Sequence, residues 1–242
     1  KKMQTAIQPI LDTPLRWADL IAINPTPRSD LDAAVANFKR VLVHADRQAL
    51  KNNNVVPPRI VADVGDAFRA CNAKLHTLES ELLKGNDELG ARIQSDLLPY
   101  LLLTNTAERW YSKPRGYAGD FLSIHEIYQN VPQGRGRIGS VLDQCFLNLP
   151  AAIAVRNRRP LLAQEISAVV RAKQDSQARI ASLACGPAAE IFDVYEGLED
   201  SSKLTATLID IDLQALAFVA ERRDKARLQR RMRLVNANLI YI

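Results

Sequence analysis

Apolar residues recur at helical spacing through the first three quarters of this chain, and from Arg179 onward they gather into short runs. Ser29 stands as an N-cap before LDAAVANFKRVLVHADRQAL, and Leu31, Val35, Phe38 and Leu42 fall on one face of the helix that follows. The linker KNNNVVPP breaks the pattern, and IVADVGDAFRACNAKLHTLESELL predicts a second helix ending near Gly85. Asn86 and Asp87 are placed to cap a long third helix, ELGARIQSDLLPYLLLTNTAERWY, which Pro99 kinks or splits. RGYAGDFLSIHEIYQN reads as a glycine turn feeding a short helix, and PQGRGRIG as a flexible loop. IGSVLDQCFLNL and AAIAVRNRRPLLAQEISAVVRAK, the latter carrying Pro160, predict two more helices.

Beyond residue 178 the period changes. Ile180 to Ala184 is an apolar run of the kind found in parallel strands buried on both faces. AAEIFDVYEGL predicts a helix closed by Gly197, LTATLID a second strand, LQALAFVAERRDKARL a second helix, and MRLVNANLIYI a third strand. This order is the first half of a doubly wound parallel sheet. The expected organisation is therefore α/β: a helical N-terminal domain over 1–178 and a partial parallel-sheet domain over 179–242. A whole sheet of this kind takes roughly 100 further residues. The reading at this point is a truncated chain, or a partner chain that completes the sheet.

Composition narrows the class. The chain has 242 residues, 47% hydrophobic and 24% charged, an ordinary balance for a globular protein. No run of 18 apolar residues occurs, so the sequence predicts no membrane-spanning helix. The N-terminus lacks the apolar stretch of a signal peptide, and a chain opening on Lys1 reads as lacking its native start. Cys71, Cys145 and Cys185 have no metal-ligand spacing and suit a reducing cytoplasm. The net charge is +5, and residues 221–233 alone carry seven basic and two acidic side chains. A solvated helix end, favoured by the helix dipole, is the first reading of that run. A nucleic-acid or acidic-partner surface is the second.

The turn LACGPAAE, between the first strand and its helix, brings in the chemistry. Gly186 permits a close backbone approach, and Asp210 stands about two dozen positions later, where a carboxylate reaches ribose hydroxyls. The dinucleotide fingerprint G-x-G-x-x-G is missing, and no G-K-[ST] follows, which excludes a P-loop. A ligand without phosphates asks less of such a turn, and S-adenosylmethionine fits.

SLACGPAAE followed by LIDID resembles the first two motifs of class I S-adenosylmethionine-dependent methyltransferases, which have a Rossmann-like fold. That family's first motif has an acid and then glycines at alternate positions. Here those places are Ser182, Ala184, Gly186 and Ala188, with Glu190 as a substitute partner for the donor's ammonium. The resemblance implies donor contacts from Ala184, Cys185, Gly186, Pro187 and Glu190, from Asp210, Ile211 and Asp212, and from Ala237 and Asn238 near adenine. A narrower resemblance rests on WYSKPRGYAGDF with IYQN and LACGP. It is to bacterial methyltransferases that make a 3-hydroxypalmitate methyl ester quorum signal, and it implies carboxyl methylation of a hydroxy fatty acid.

In KPRGYAGD, Pro114, Gly116 and Gly119 suit a loop that wraps a ligand. Arg115, Tyr117 and Asp120 face such a pocket in this reading, with His125 one turn into the next helix. Arg115 suits a carboxylate acceptor, which needs no base, whereas a hydroxyl or amine acceptor makes His125 or Asp120 the base. The alternative reading is structural: Asp120 caps the helix, Tyr117 packs and Arg115 is solvated. His44, His76, Trp17, Trp110 and Tyr111 read as structural, Cys185 as a packing residue, and Arg156 to Arg159 as a solvated face more readily than a carboxylate site. Two rival functions stay open: a non-catalytic interaction module with a degenerate α/β domain, and an RNA methyltransferase.

Overall fold

The computed structural model describes residues 30–77, 87–173 and 176–241. The expected cap at Ser29, the expected helix end near Gly85, Asn86 and Trp17 lie outside them. Among the described residues, seven helices precede the sheet: α1 (Asp30–Lys51), α2 (Pro58–Thr77), α3 (Asp87–Leu101), α4 (Asn105–Ser112), α5 (Phe121–Gln129), α6 (Gly139–Leu147) and α7 (Pro150–Ala172). Then come β1 (Ala178–Leu183), α8 (Ala189–Glu196), β2 (Leu204–Asp210), α9 (Leu213–Lys225) and β3 (Met232–Asn236). The chain forms two compact units, Lys1–Asn105 with Gln133–Cys145, and Thr106–Pro132 with Phe146–Ile242. The change from helices to strands falls at 178, as the hydrophobic period predicts, and the second unit takes in residues on both sides of it.

In the first unit the stripe read from the sequence is the buried one: Leu31, Val35, Phe38 and Leu42, extended by Ala45 and Ala49. α2 answers with Val64, Ala67, Phe68 and Cys71, and the Phe38 and Phe68 rings meet edge-on at 6.0 Å. Arg137 forks onto the buried Asp46, with donor–acceptor distances of 2.8 and 2.7 Å. The expected long helix does split, although Pro99 itself remains helical. The break falls just beyond it, where Leu103 and Thr104 donate to the carbonyls three residues back and the chain tightens out of the α-helix.

PQGRGRIG is tied down rather than loose. Gly134 bridges Thr104, Arg135 donates to Leu103 O at 2.7 Å, and Asn105 donates to Gln133 O at 3.2 Å. A Cβ on Gly134 would lie 2.3 Å from the Gly139 carbonyl carbon, and one on Gly139 would lie 2.6 Å from Leu103 O. Gly134 and Gly139 are there for close backbone packing, not freedom.

The second unit contains a parallel sheet in the order β1-β2-β3, with Ala178 opposite Leu204 and Ala206 opposite Met232. Stepping in one direction with right-handed crossovers puts successive helices on one face. Accordingly Leu204, Ala206 and Leu208 pack with Ile191, Phe192 and Val194 of α8, Leu216 and Val219 of α9, and Val170 of α7. The opposite face is open: Arg179, Ala181 and Leu183 of β1 are exposed, and Thr205, Thr207 and Ile209 of β2 are only half-buried. The expectation that β1 is buried on both faces is therefore not met, because these crossovers cover one side only.

The basic run splits between structure and solvent. Arg222 lies 4.1 Å over the Phe192 ring, Arg223 pairs with Asp224 at 2.9 Å, and Lys225 with Glu221 at 2.6 Å. Three of these cations occupy the last turn of α9, where the helix dipole favours them. No helix among the described residues is long and apolar enough to cross a membrane.

The buried end of α8 is anchored by Tyr195, whose hydroxyl lies 3.1 Å from both Leu204 O and Arg231 O. Tyr195→Phe should lower the unfolding free energy by about 1–2 kcal/mol, measured by urea denaturation. An unchanged midpoint would show that this hydroxyl contributes nothing to holding α8 to the sheet.

Candidate functional site

The turn after β1 owes its shape to three left-handed residues at alternate positions: Ala184 at φ 50°, Gly186 at φ 52° and Ala188 at φ 49°. These are the places where the resembled motif has glycines. Two alanines here adopt a conformation that glycine takes at no steric cost. Cys185 donates to Ile209 O at 3.0 Å, continuing the β1–β2 pairing into the turn.

Asp210 fastens this turn to the end of β2. Its buried carboxylate accepts from Gly186 N and from Asp212 N, both at 2.9 Å. Its own carbonyl accepts from Ala237 N at 3.2 Å and from the Asn236 side chain at 3.0 Å. Asn236, absent from the sequence candidates, also reaches Ile211 O at 2.9 Å and ties the end of β3 to the end of β2. Two amide bonds leave the Asp210 carboxylate with acceptor capacity to spare.

A cavity of about 570 Å³ opens at the carboxyl ends of β1 and β2, where ligands bind in parallel α/β sheets. Ser182, Leu183, Ala184, Cys185, Gly186, Pro187, Glu190, Asp210 and Ile211 line one part of it. Tyr117, Gly119, Phe121, Ile124, Tyr128, Arg158 and Leu162 line the rest. The structure thus brings together Tyr117, Ala184, Cys185, Gly186, Pro187, Glu190, Asp210 and Ile211 of the expected set.

The other expected residues have different work. Arg115 forks onto Asp212, its Nε donating to Oδ2 at 2.8 Å, and also reaches the Gln214 side chain. Asp212 caps α9, accepting from Gln214 N at 2.9 Å and Ala215 N at 3.4 Å. Burial pushes the Asp212 carboxyl up, but the Arg115 fork and these amides outweigh it and hold it below the usual carboxylate range. The same bond raises Arg115, against its desolvation.

Asp120 caps α5 through Leu122 N and Ser123 N and pairs with Arg109 at 2.7 Å. It is fully buried; desolvation raises its pKa, while the Arg109 bond and the amides prevail and lower it. The structural reading of Asp120 as a cap is the one observed. Its carboxylate is fully engaged and is not presented to the cavity as a base. His125 packs edge-on against Phe218 at 4.9 Å. Burial, with the charges of Arg222 and Arg159, holds its pKa below the ordinary value. Asn238 accepts from Ile240 N at 3.0 Å, closing the turn after β3, and Ala237 contributes its amide to Asp210 O.

Cys185 is buried, and its thiol is pushed up to about 12 by burial, then by Asp210 and Glu190. It is a packing residue, not a thiolate nucleophile. Glu190 is shifted upward by burial, partly offset by its own amide. Of the arginine cluster, Arg159 forks onto Asp193 with both distances 2.6 Å, and Arg156 donates to Leu147 O at 2.7 Å.

The sequence reading missed Phe121, Ile124 and Tyr128, and also Leu162, which is paired in the lining with Arg158, a residue weighed as part of a carboxylate site but read more readily as solvated. Each set lies on one helix face at three- and four-residue spacing, a pattern that was available to find them.

With this geometry in view, the comparisons bear on class. Residues 116–232 match the model of a family described as "Putative methyltransferase". The span begins at Gly116 in the wrapping loop and ends at Met232, the first residue of β3. The match supports methyl transfer as the class of activity. No curated protein matches the chain. A solved structure described as a possible exported protein from Bordetella parapertussis is similar at 19% identity and a TM-score of 0.41, over 90% of this chain and 58% of that one. The chain therefore spans less than two thirds of that protein.

Two outcomes follow from the backbone and the charges. Ala184 is exposed, so Ala184→Gly should stabilise the protein by about 1 kcal/mol through relief of the left-handed conformation, read by chemical denaturation. A loss of stability would mean the turn carries no such strain. The depressed His125 pKa means the unfolded chain binds a proton more readily than the folded one. Stability is then full above the ordinary value of about 6.5 and declines as pH falls through the folded-state pKa. Wild type should lose stability as pH falls below about 6.5, and His125→Phe should flatten that part of the curve. Parallel curves would exclude His125 as its source.

Proposed function

We propose that this chain binds S-adenosylmethionine at the Gly186 turn and directs its methyl group to the carboxylate of an apolar small molecule such as a hydroxy fatty acid. The observation that carries this reading is the cavity at the strand ends, where the left-handed turn and Asp210 meet. The family match over 116–232 supports the chemistry, and the WYSKPRGYAGDF resemblance supports the acceptor and its use as a quorum signal.

In this reading Asp210 accepts from ribose hydroxyls with the lone pairs that Gly186 and Asp212 leave open. Ile211, with Ala237 and Asn238, shapes the adenine end, and Ala184 to Pro187 let the backbone approach the ligand. When bound, the donor supplies an electrophilic methyl group on a sulfonium. The rest is positioning and exclusion of water. Phe121, Ile124, Tyr128 and Leu162 give the acceptor's chain an apolar wall, and Tyr117 stands at the edge of the cavity. Arg115 acts through its fork to Asp212 by fixing the loop that carries Tyr117. A carboxylate acceptor is ionised near neutral pH, so no base is required; this agrees with the engagement of Asp120.

A cytoplasmic setting belongs to the same proposal and is supported by free Cys71, Cys145 and Cys185. So does a partner segment for the sheet, supported by the open face of β1 and β2. The intrachain pairing within the basic run favours a small-molecule acceptor over RNA.

Isothermal titration with S-adenosylhomocysteine should give saturable binding to residues 1–242. Asp210→Ala should weaken it by about 1–3 kcal/mol. Absence of heat up to about 1 mM ligand would overturn the donor assignment. Unchanged affinity in the variant would remove Asp210 from the ligand's contacts.

A further inference from the structure

Four arginines of the second unit are committed to its architecture. Arg159 is forked onto Asp193, Arg115 onto Asp212, Arg109 pairs with Asp120, and Arg156 holds a main-chain carbonyl. Arg158 differs. It lies exposed on α7, lines the strand-end cavity, and forms no ion pair among the described residues. Its Nη2 stands 3.5 Å from the Tyr128 hydroxyl, too far for a strong hydrogen bond. Glu190 shares the cavity and feels the charge of Arg158 without pairing with it.

Tyr128 is held in place from its other side. Arg159 lies 5.5 Å over the Tyr128 ring, and the fork onto Asp193 fixes that guanidinium in turn. Among the described residues nothing accepts the proton of the Tyr128 hydroxyl. Two donors, a guanidinium on α7 and a phenol on α5, therefore converge beside one cavity with no acceptor between them. Such a pair suits an anion. The surroundings narrow which one. Phe121 and Ile124 continue the α5 face that carries Tyr128, and Leu162 stands one turn beyond Arg158 on α7. A single guanidinium beside a neutral hydroxyl, with Glu190 in the same cavity, favours one negative charge over two. The complementary group is a monoanionic carboxylate attached to an apolar chain.

We infer that Arg158 and Tyr128 form an acceptor clamp, the guanidinium and the phenol hydroxyl donating to the carboxylate of an acyl chain that lies against Phe121, Ile124 and Leu162. The inference rests on the methyl-transfer reading and deepens it, by naming what holds the acceptor. Arg115, the sequence candidate for that role, is engaged by Asp212 instead. The clamp also discriminates between acceptor and product. Methylation removes the negative charge, so the same two donors hold the acid and let the ester go.

The test uses 3-hydroxydecanoate and its methyl ester as soluble short-chain probes. Both are titrated calorimetrically into the 242-residue chain, Arg158→Met and Tyr128→Phe, with S-adenosylhomocysteine titrated separately. Wild type should bind the acid about tenfold or more tighter than the ester, as one charged hydrogen bond provides. Arg158→Met should abolish that preference by weakening the acid alone, and Tyr128→Phe should weaken the acid about fivefold, as a neutral hydrogen bond does. Ester binding equal to wild type shows that each variant is folded. Equal wild-type affinities for acid and ester, unchanged acid binding in Arg158→Met, or an equal loss for S-adenosylhomocysteine in that variant would overturn the clamp. Wild type that binds S-adenosylhomocysteine but not the acid would overturn the clamp and leave the donor reading standing. Wild type that binds the acid but not S-adenosylhomocysteine would overturn the donor reading alone.

Discussion

One buried carboxylate holds the candidate site together. Asp210 ends β2 and spends its two amide bonds on different segments, Gly186 in the turn after β1 and Asp212 in the turn before α9. Beyond the Cys185 N–Ile209 O bond that carries strand pairing into the first turn, it is this carboxylate that joins the two turns. The main chain of Asp210 is equally engaged, by Asn236 and Ala237 at the end of β3. Asp212, set by that arrangement, in turn caps α9 and receives Arg115 from the wrapping loop. Cavity, helix start and loop thus share one origin.

The charges around the cavity divide into those already satisfied and those left open. Arg109 with Asp120, Arg115 with Asp212, and Arg159 with Asp193 are forks or capped pairs that fix helices and loops. A charged residue tied up in this way is an architectural element, however close it lies to a ligand. Tyr117, Arg158, Glu190 and Asp210 remain to meet a molecule in the cavity.

This division explains what could be read from the sequence. The helix stripe from Leu31 to Leu42, the order of strands and helices after 178, and the pairing of Gly186 with Asp210 follow from periodicity and spacing, which are local. Arg115 and Asp212 were recognisable as charged residues near a site. That they are partners across 97 positions was not, because no local rule brings them together. The exposed face of β1 was misread for a related reason: an apolar run records what a strand tolerates, and coverage depends on where the crossovers go. Asn236 passed unnoticed because its work is on backbone carbonyls of another strand end. The loss of two glycines suggested a degenerate turn, yet Ala184 and Ala188 keep the left-handed path.

That path has a mechanical meaning. Two alanines held at positive φ store energy of about 1–3 kcal/mol each, and the Asp210–Gly186 bond lies between them. The turn is a loaded spring and the carboxylate its latch. The latch belongs to the end of β2, so the shape of the loop after β1 is set by a side chain of the neighbouring strand.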